Sequence, residues 1–196
     1  MSTEDVRLLS PEIAMAVLGL VVILLDLVVR RKGILTLTAV LGLLVPLGLS
    51  IWLWFDLDNG TRQMTGVFHL AASGAPEGSP ESIAGSALVV DHFAIFFKFL
   101  VLGVVGLVVM ASNDYVSRME RYRGEYYGLI IFSATGMMLL AATQELISIY
   151  VALELTTLPL AALVAFLMTS RSTEAGMKFF VLSAISSALL LYGMAL

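Results

Sequence analysis

Apolar residues fill this chain in long runs, and short polar segments that carry most of its charges separate the runs. A helix needs about 20 apolar residues to cross about 30 Å of hydrocarbon, and six runs approach or reach that length. They cover Pro11–Val29, Ile34–Phe55, Phe93–Ser112, Tyr127–Thr143, Leu146–Thr169 and Gly176–Leu196. The pattern predicts an all-α, polytopic membrane protein with six transmembrane helices in a single domain, 1–196.

The segments inside and between these runs indicate how the helices connect. Only Gln144 and Glu145 separate the fourth and fifth runs, so we expect those two helices to be antiparallel neighbours. Pro46 lies within the second run and predicts a kink. The long loop Asp56–Val90 is rich in turn formers, and its end, Ile83–Val90, is expected to form a short hairpin strand or an entry to the third span.

Composition narrows the range of functions. Hydrophobic residues make up 59% of the chain and charged residues 13%, which excludes a water-soluble domain. Because the chain has no cysteine and only two histidines, His69 and His92, a thiolate-bound cluster is excluded and a metal site is not expected. We therefore expect a lipid bilayer around the chain, no cofactor or metal within it, and no nucleic-acid partner.

The distribution of basic residues predicts the orientation in the membrane. Loops rich in lysine and arginine stay in the cytoplasm. Basic residues after the first, third and fifth runs outnumber those on the opposite side, which holds only Arg7 and Arg62. The cytoplasmic set is Arg30, Arg31, Lys32, Arg118, Arg121, Arg123 and Arg171. The N-terminus and the loop 56–90 are therefore expected outside.

Glu154 places a carboxylate near the middle of the fifth apolar run. A carboxylate at the centre of a membrane helix costs about 3 kcal/mol, so it needs a partner, water, a proton or a function. Pro159 lacks a backbone N–H, which frees the carbonyl of Leu155 beside the acid. We interpret Glu154 as a proton or cation site; the alternative is a buried glutamate that a neighbouring helix holds for packing.

Two other ionisable residues at span boundaries have two interpretations each. Lys178 opens the sixth run, where it either extends its amine to water or relays a proton, since a lysine amine can lose and regain one. Glu125 precedes the fourth run, where the helix dipole favours a carboxylate whether or not it has a function. Position alone leaves both alternatives open.

Asp91 and Lys98 lie seven residues apart on one face of the third helix. Two turns separate them by about 10 Å, too far for a direct ion pair. Asp91 is most simply an N-cap, whereas Lys98 lies too deep for easy contact with water and is a candidate to meet an acid on another helix. Asp26 is expected to pair with Arg30 four residues on.

Several linked motifs resemble the antiporter-like subunit N of proton-pumping NADH:quinone oxidoreductase, respiratory complex I. The resemblance covers most of Asp91–Leu196, and before Asp91 it is only topological. It is carried by Asp91-x-Phe93-x-x-Phe96-Phe97-Lys98, Gly124-Glu125-Tyr126-Tyr127, Thr135-Gly136-Met137-Met138-Leu139, Leu153-Glu154-Leu155, Leu158-Pro159-Leu160 and Glu174-Ala175 before Lys178-Phe179.

By this resemblance, Glu154 matches a fifth-helix acid that pairs with a lysine on a broken seventh helix in a proton channel. Lys178 matches a lysine on the sixth helix and Glu125 a carboxylate at the start of the fourth. Phe179 stands where the family usually has tyrosine. Because such subunits have about fourteen helices, including inverted repeats, we expect the chain to be an N-terminal fragment truncated at Leu196.

The resemblance implies a proton-translocating subunit driven by redox chemistry in other subunits of a bacterial plasma-membrane complex. NADH, flavin, iron–sulfur clusters and quinone are expected in those partners, and the fragment alone is not expected to be catalytic. Glu154, Lys178 and Glu125 are the implied translocation residues, with Lys98 and Asp91 as secondary candidates. The alternatives are a subunit of a multi-subunit Na⁺/H⁺ antiporter or membrane-bound hydrogenase, and a truncated structural subunit that transports nothing.

The orientation is testable by cysteine labelling, because the chain has no native cysteine. An impermeant thiol reagent should label Ser73→Cys and Ser117→Cys from opposite sides of sealed membranes, since they lie on either side of the third span. Labelling of both from the same side would contradict the six-span topology.

Overall fold

In the computed structural model, which describes residues 3–28, 32–59, 64–69, 86–117 and 122–196, six helical spans are long and apolar enough to cross a membrane. The predicted helical, six-span fold is confirmed. In chain order the elements are α1 Thr3–Leu8, α2 Ser10–Val28, α3 Lys32–Gly42, α4 Leu44–Asn59, β1 Met64–His69, β2 Ser86–Asp91, α5 His92–Ala111, α6 Asn113–Ser117, α7 Arg123–Ala142, α8 Leu146–Val164 and α9 Ser170–Ala195.

The second span is divided into α3 and α4 at Leu43, within the span 35–57. Pro46 follows in the first turn of α4, and its missing N–H deprives the carbonyl of Gly42 of a donor. The break therefore lies in the turn before the proline. The hydroxyl of Ser50 donates to the carbonyl of Pro46 at 2.8 Å, a hydrogen bond between successive turns of α4.

A two-stranded antiparallel pair lies in the long loop between the second and third spans. Met64 of β1 is opposite Asp91 of β2, and Val67 is opposite Leu88. Within the segment expected to form a strand or an entry to the third span, Ser86–Val90 does both, because β2 runs directly into α5. Residues 70–85, which include Ser73, lie outside the described residues.

Carboxylates accept hydrogen bonds from the first turns of two helices. One carboxylate is adjacent to its helix in the sequence, and the other is far from it. The Asp91 carboxylate accepts a hydrogen bond from the Ala94 N–H at 2.7 Å, so the predicted N-cap of α5 is confirmed. The Asp26 carboxylate of α2 accepts from the Gly124 N–H at 3.0 Å and so satisfies the first turn of α7. Arg30, the expected partner of Asp26, lies outside the described residues.

A tight turn separates the last two helices. α8 ends at Val164, and Met168 has the left-handed φ of 50°, which ends the helical path before Thr169. Thr169 then caps α9 by accepting from the Ser172 N–H at 3.3 Å. The helix consequently begins at Ser170, ahead of the apolar run that starts at Gly176.

The apolar interior has two parts. The first packs α2, α3, α5 and α7 together through residues such as Met15, Leu35, Val105 and Ile131. The second joins α1, α4, β2, α5 and the end of α7 through Leu8, Leu9, Leu53, Leu57, Leu88, Val90, Ala94, Ile95 and Ala142. α7 is the central helix, with half of its span buried, whereas α9 is peripheral, with none of its span buried in this chain.

Small residues permit the close contacts between helices. An added Cβ on Gly136 of α7 would lie 2.6 Å from the Thr156 hydroxyl oxygen and 2.7 Å from its backbone nitrogen on α8. Beside it, the Ser133 hydroxyl donates to the Thr156 carbonyl at 3.0 Å. α7 and α8 are therefore packed backbone to backbone along this seam.

This contact predicts that Gly136→Ala destabilises the chain although alanine favours helices. The added methyl must displace backbone, and overpacking costs about 1–3 kcal/mol, so the unfolding midpoint in detergent should fall by about 5 °C. Gly103→Ala on α5 is the matched control, because an added Cβ there meets nothing within 4 Å. Equal midpoints for the two variants in thermal circular dichroism would contradict the close contact.

Candidate functional site

Glu154 lies in the middle of α8, beside two threonines whose hydroxyls bond to carbonyls of the same helix. Its side chain is half-buried. The hydroxyls of Thr156 and Thr157 donate to the carbonyls of Ala152 and Leu153 at 2.9 and 3.0 Å. α8 continues through Pro159, so the proline does not end the helix.

The backbone next to Glu154 is held firmly against α7. Gly136 approaches Leu155 and Thr156, the two residues that follow the acid, so closely that a Cβ would collide with their backbone. The Ser133 hydroxyl joins the same seam. A charged group whose function depends on its exact position needs backbone support of this kind.

Helical spacing shows which way Glu154 faces. Glu154, Ala161 and Ala165 recur at i, i+7 and i+11, so they lie on one face of α8, which Ala165 extends as the C-cap. On this face Ala161 is buried, and Ala165 contacts α9 so tightly that a Cβ on Gly176 would lie 2.6 Å from its Cβ. The face that carries Glu154 is therefore the face toward α9.

α9 repeats the same spacing with Gly176, Ser183 and Ser187, which form its least exposed stripe together with Ser172 and Met194. Because α8 and α9 are antiparallel and rise equally per residue, Ser187 comes to the level of Glu154 when Ala165 meets Gly176. Ser183 and Ser187 both lie on this stripe. Their placement gives them hydroxyls on the side of α9 toward the acid.

Lys178 lies on a different side of α9. It follows Gly176 by two residues, about 200° around the helix, and so points away from the stripe that meets α8. Its amine forms an ion pair with the Glu174 carboxylate one turn earlier at 2.6 Å, with the two side chains 71% and 64% exposed. The described residues thus place Lys178 away from Glu154.

Glu125 lies in the first turn of α7, exposed and near the end of that helix farthest from the short turn to α8. Among the described residues, no ion pair joins Glu125, Glu154 and Lys178 to one another. The structure therefore gives the three predicted translocation residues separate positions on three successive helices. No group of three histidine, cysteine, aspartate or glutamate side chains within the described ranges is arranged to hold a metal.

A second charged site lies away from these residues. Lys98 of α5 forms an ion pair with Glu12 of α2, with Nζ and Oε1 2.7 Å apart and the side chains only 0% and 3% exposed. The expectation that Lys98 meets an acid on another helix is confirmed. Glu12 was not predicted from the sequence as that acid; the available signal is that it follows the apolar Leu8 and Leu9 by four and three residues and precedes the apolar Met15 by three.

Comparison with known proteins identifies relatives of this chain. The family described as NADH:quinone oxidoreductase/Mrp antiporter, TM, matches residues 143–196. The chain is 36% identical over 99% of its length to NADH-quinone oxidoreductase subunit N of Trichlorobacter lovleyi, and 37% identical over all of its length to that of Desulfitobacterium hafniense. It spans 36% of the length of each of these relatives.

Solved structures show the same fold. A chain of respiratory complex I from Thermus thermophilus matches with a TM-score of 0.68 and 27% identity, over 94% of this chain and 35% of that one. A chain of an archaeal membrane-bound sulfane sulfur reductase matches with a TM-score of 0.66 and 21% identity, over 99% of this chain and 37% of that one. At that identity the second likeness concerns the fold alone.

Proposed function

Within the NADH-quinone oxidoreductase subunit N family, to which this chain belongs, we propose that the chain provides a carboxylate of a proton-translocating pathway, with Glu154 as the acid. The observation that carries the proposal is the environment of Glu154. A carboxylate sits at mid-span on a braced helix, and the described residues form no ion pair to it. An acid held so firmly in an apolar span is expected to serve a cation or a proton.

The face of Glu154 supports this function over a packing role. Packing between α7 and α8 is carried by Gly136, Ser133 and Thr156 on the other side of α8. The side of α8 that carries Glu154 faces α9. The polar groups of α9 that lie near the depth of Glu154 are serine hydroxyls. A carboxylate and hydroxyls between two helices offer sites that water can join, and water can carry a proton between them.

The energy scale is compatible with proton pumping. Moving one proton against 100 mV requires about 2.3 kcal/mol. Removing one partner of a buried carboxylate–cation pair costs about 3–5 kcal/mol. Pairing and unpairing of Glu154 with a cation that the described residues do not supply would therefore be large enough to drive the step. Glu125 and Lys178 are the proposed proton donors or acceptors on the cytoplasmic side, and Lys98 and Asp91 are secondary candidates toward the outside.

The chain is an integral multi-pass membrane protein, and we place it in a bacterial plasma membrane with its N-terminus outside. Its partners are the other membrane subunits of the complex. NADH, flavin, iron–sulfur clusters and quinone are assigned to other subunits, because the redox steps are proposed to occur outside this chain.

The family description favours one second candidate, since it includes Mrp antiporters as well as the oxidoreductase. In that case the chain would exchange Na⁺ for protons without NADH. The two functions differ in their driving force. Proton uptake that follows a Na⁺ gradient and ignores NADH in sealed vesicles would favour the antiporter.

Glu154→Gln tests the central residue, because it preserves size and removes ionisation. In membranes with equal amounts of assembled complex, we expect proton pumping to fall at least tenfold, with a milder loss in Glu154→Asp, which keeps the charge. Thr157→Val is the control for disturbing the helix beside the acid. Full pumping by Glu154→Gln would return the residue to a packing role.

Lys178→Arg distinguishes a lysine that relays protons from one that only extends its amine to water at the membrane boundary. Arginine keeps the positive charge but does not release its proton, so a relay should lose several-fold in pumping while assembly is unchanged. Glu174→Gln is the matched control: it removes the partner of Lys178, and an exposed pair of this kind contributes only about 0–1 kcal/mol. Normal pumping by Lys178→Arg would assign the lysine to the membrane boundary.

A further inference from the structure

Glu12 and Lys98 are the only charged side chains classed as buried among the residues whose burial the structure describes. They lie where the two parts of the apolar interior meet. Leu8, Leu9, Ala94 and Ile95, one turn before them on α1–α2 and α5, belong to one part. Met15, Val101 and Leu102, one turn after them, belong to the other.

The pair is incompletely bonded for a structural ion pair. Lys98 Nζ and Glu12 Oε1 are 2.7 Å apart as an ion pair. Neither Glu12 oxygen nor Lys98 Nζ has a hydrogen-bond partner among the described residues. Buried charges held for stability usually have their remaining donors and acceptors satisfied. The unpartnered donors of Lys98 and acceptors of Glu12 are typical of a site that binds water or exchanges protons.

Depth and neighbours indicate a direction for that exchange. Lys98 lies six residues, or about 9 Å, into α5 from its first residue, His92. That end of α5 also carries Asp91, which is half-exposed and on the same face as Lys98. Under the proposed orientation this is the outer side, so the pair lies in the outer third of the membrane, with protonatable groups between it and water.

We propose that Glu12 and Lys98 form a second proton-exchange site, near the outer side of the membrane. The Lys98 ammonium transfers a proton to the Glu12 carboxylate, which breaks an N–H bond and forms an O–H bond. An amine and a carboxylic acid result, and the total charge of the pair is zero before and after. The acid then releases the proton to water toward Asp91, and the amine takes up another. The proposal rests on the proposed function.

The test compares variants in the assembled complex, with pumping measured per NADH oxidised. Lys98→Arg keeps the pair and its charge but cannot give up a proton. The double variant Glu12→Gln with Lys98→Met removes both charges together, which avoids an unpaired buried charge. The exposed pair Arg7–Asp56, also 2.7 Å apart, is the control, through Arg7→Gln with Asp56→Asn.

We expect Lys98→Arg and the double neutral variant to assemble and to lose at least fivefold in pumping, with the control pair unaffected. Normal pumping by either variant would overturn the proposal and make the pair a structural contact. Failure of both to assemble would assign the pair to folding and overturn it equally. If Glu154→Gln loses pumping while these variants keep it, only this inference fails; if the unaltered complex does not pump, the proposed function fails.

Discussion

The cost of leaving a charge unbalanced in hydrocarbon is the constraint on which the rest of this structure depends. It explains why Glu12 and Lys98, both almost fully buried, meet across two helices. It also explains why Asp26 and Asp91 lie at helix ends, where backbone N–H groups meet their charge. Glu154 is the ionisable group at mid-span to which the described residues give no such balance, and this singles it out.

Close packing of the helices fixes the position of Glu154 in the membrane span. Gly136 and Ser133 fix α8 against the central helix α7 at the residues next to Glu154. The contact between Ala165 and Gly176 then sets the level of α9 beside it. The acid is therefore placed by small residues rather than by bonds of its own, which leaves its carboxylate free for chemistry.

Much of this was readable in the sequence, because run length, turn residues and isolated charges act locally. The six spans and the Asp91 cap follow from such patterns, and the proposal for Glu154 begins from one as well. The partners of Lys98 and Asp26 do not, because Glu12 and Gly124 are far away along the chain and only tertiary packing brings them near. For the same reason spacing alone could not show that Lys178 points away from the Glu154 face, since that depends on which side of α9 meets α8.

The central claim is that Glu154 changes its protonation during turnover. Infrared difference spectroscopy of the complex, before and after addition of NADH, measures this directly through the C=O stretch of a carboxylic acid. The account predicts a band that appears or disappears on turnover, shifts in D₂O and is missing in Glu154→Gln. Identical difference spectra for the unaltered complex and Glu154→Gln would contradict it.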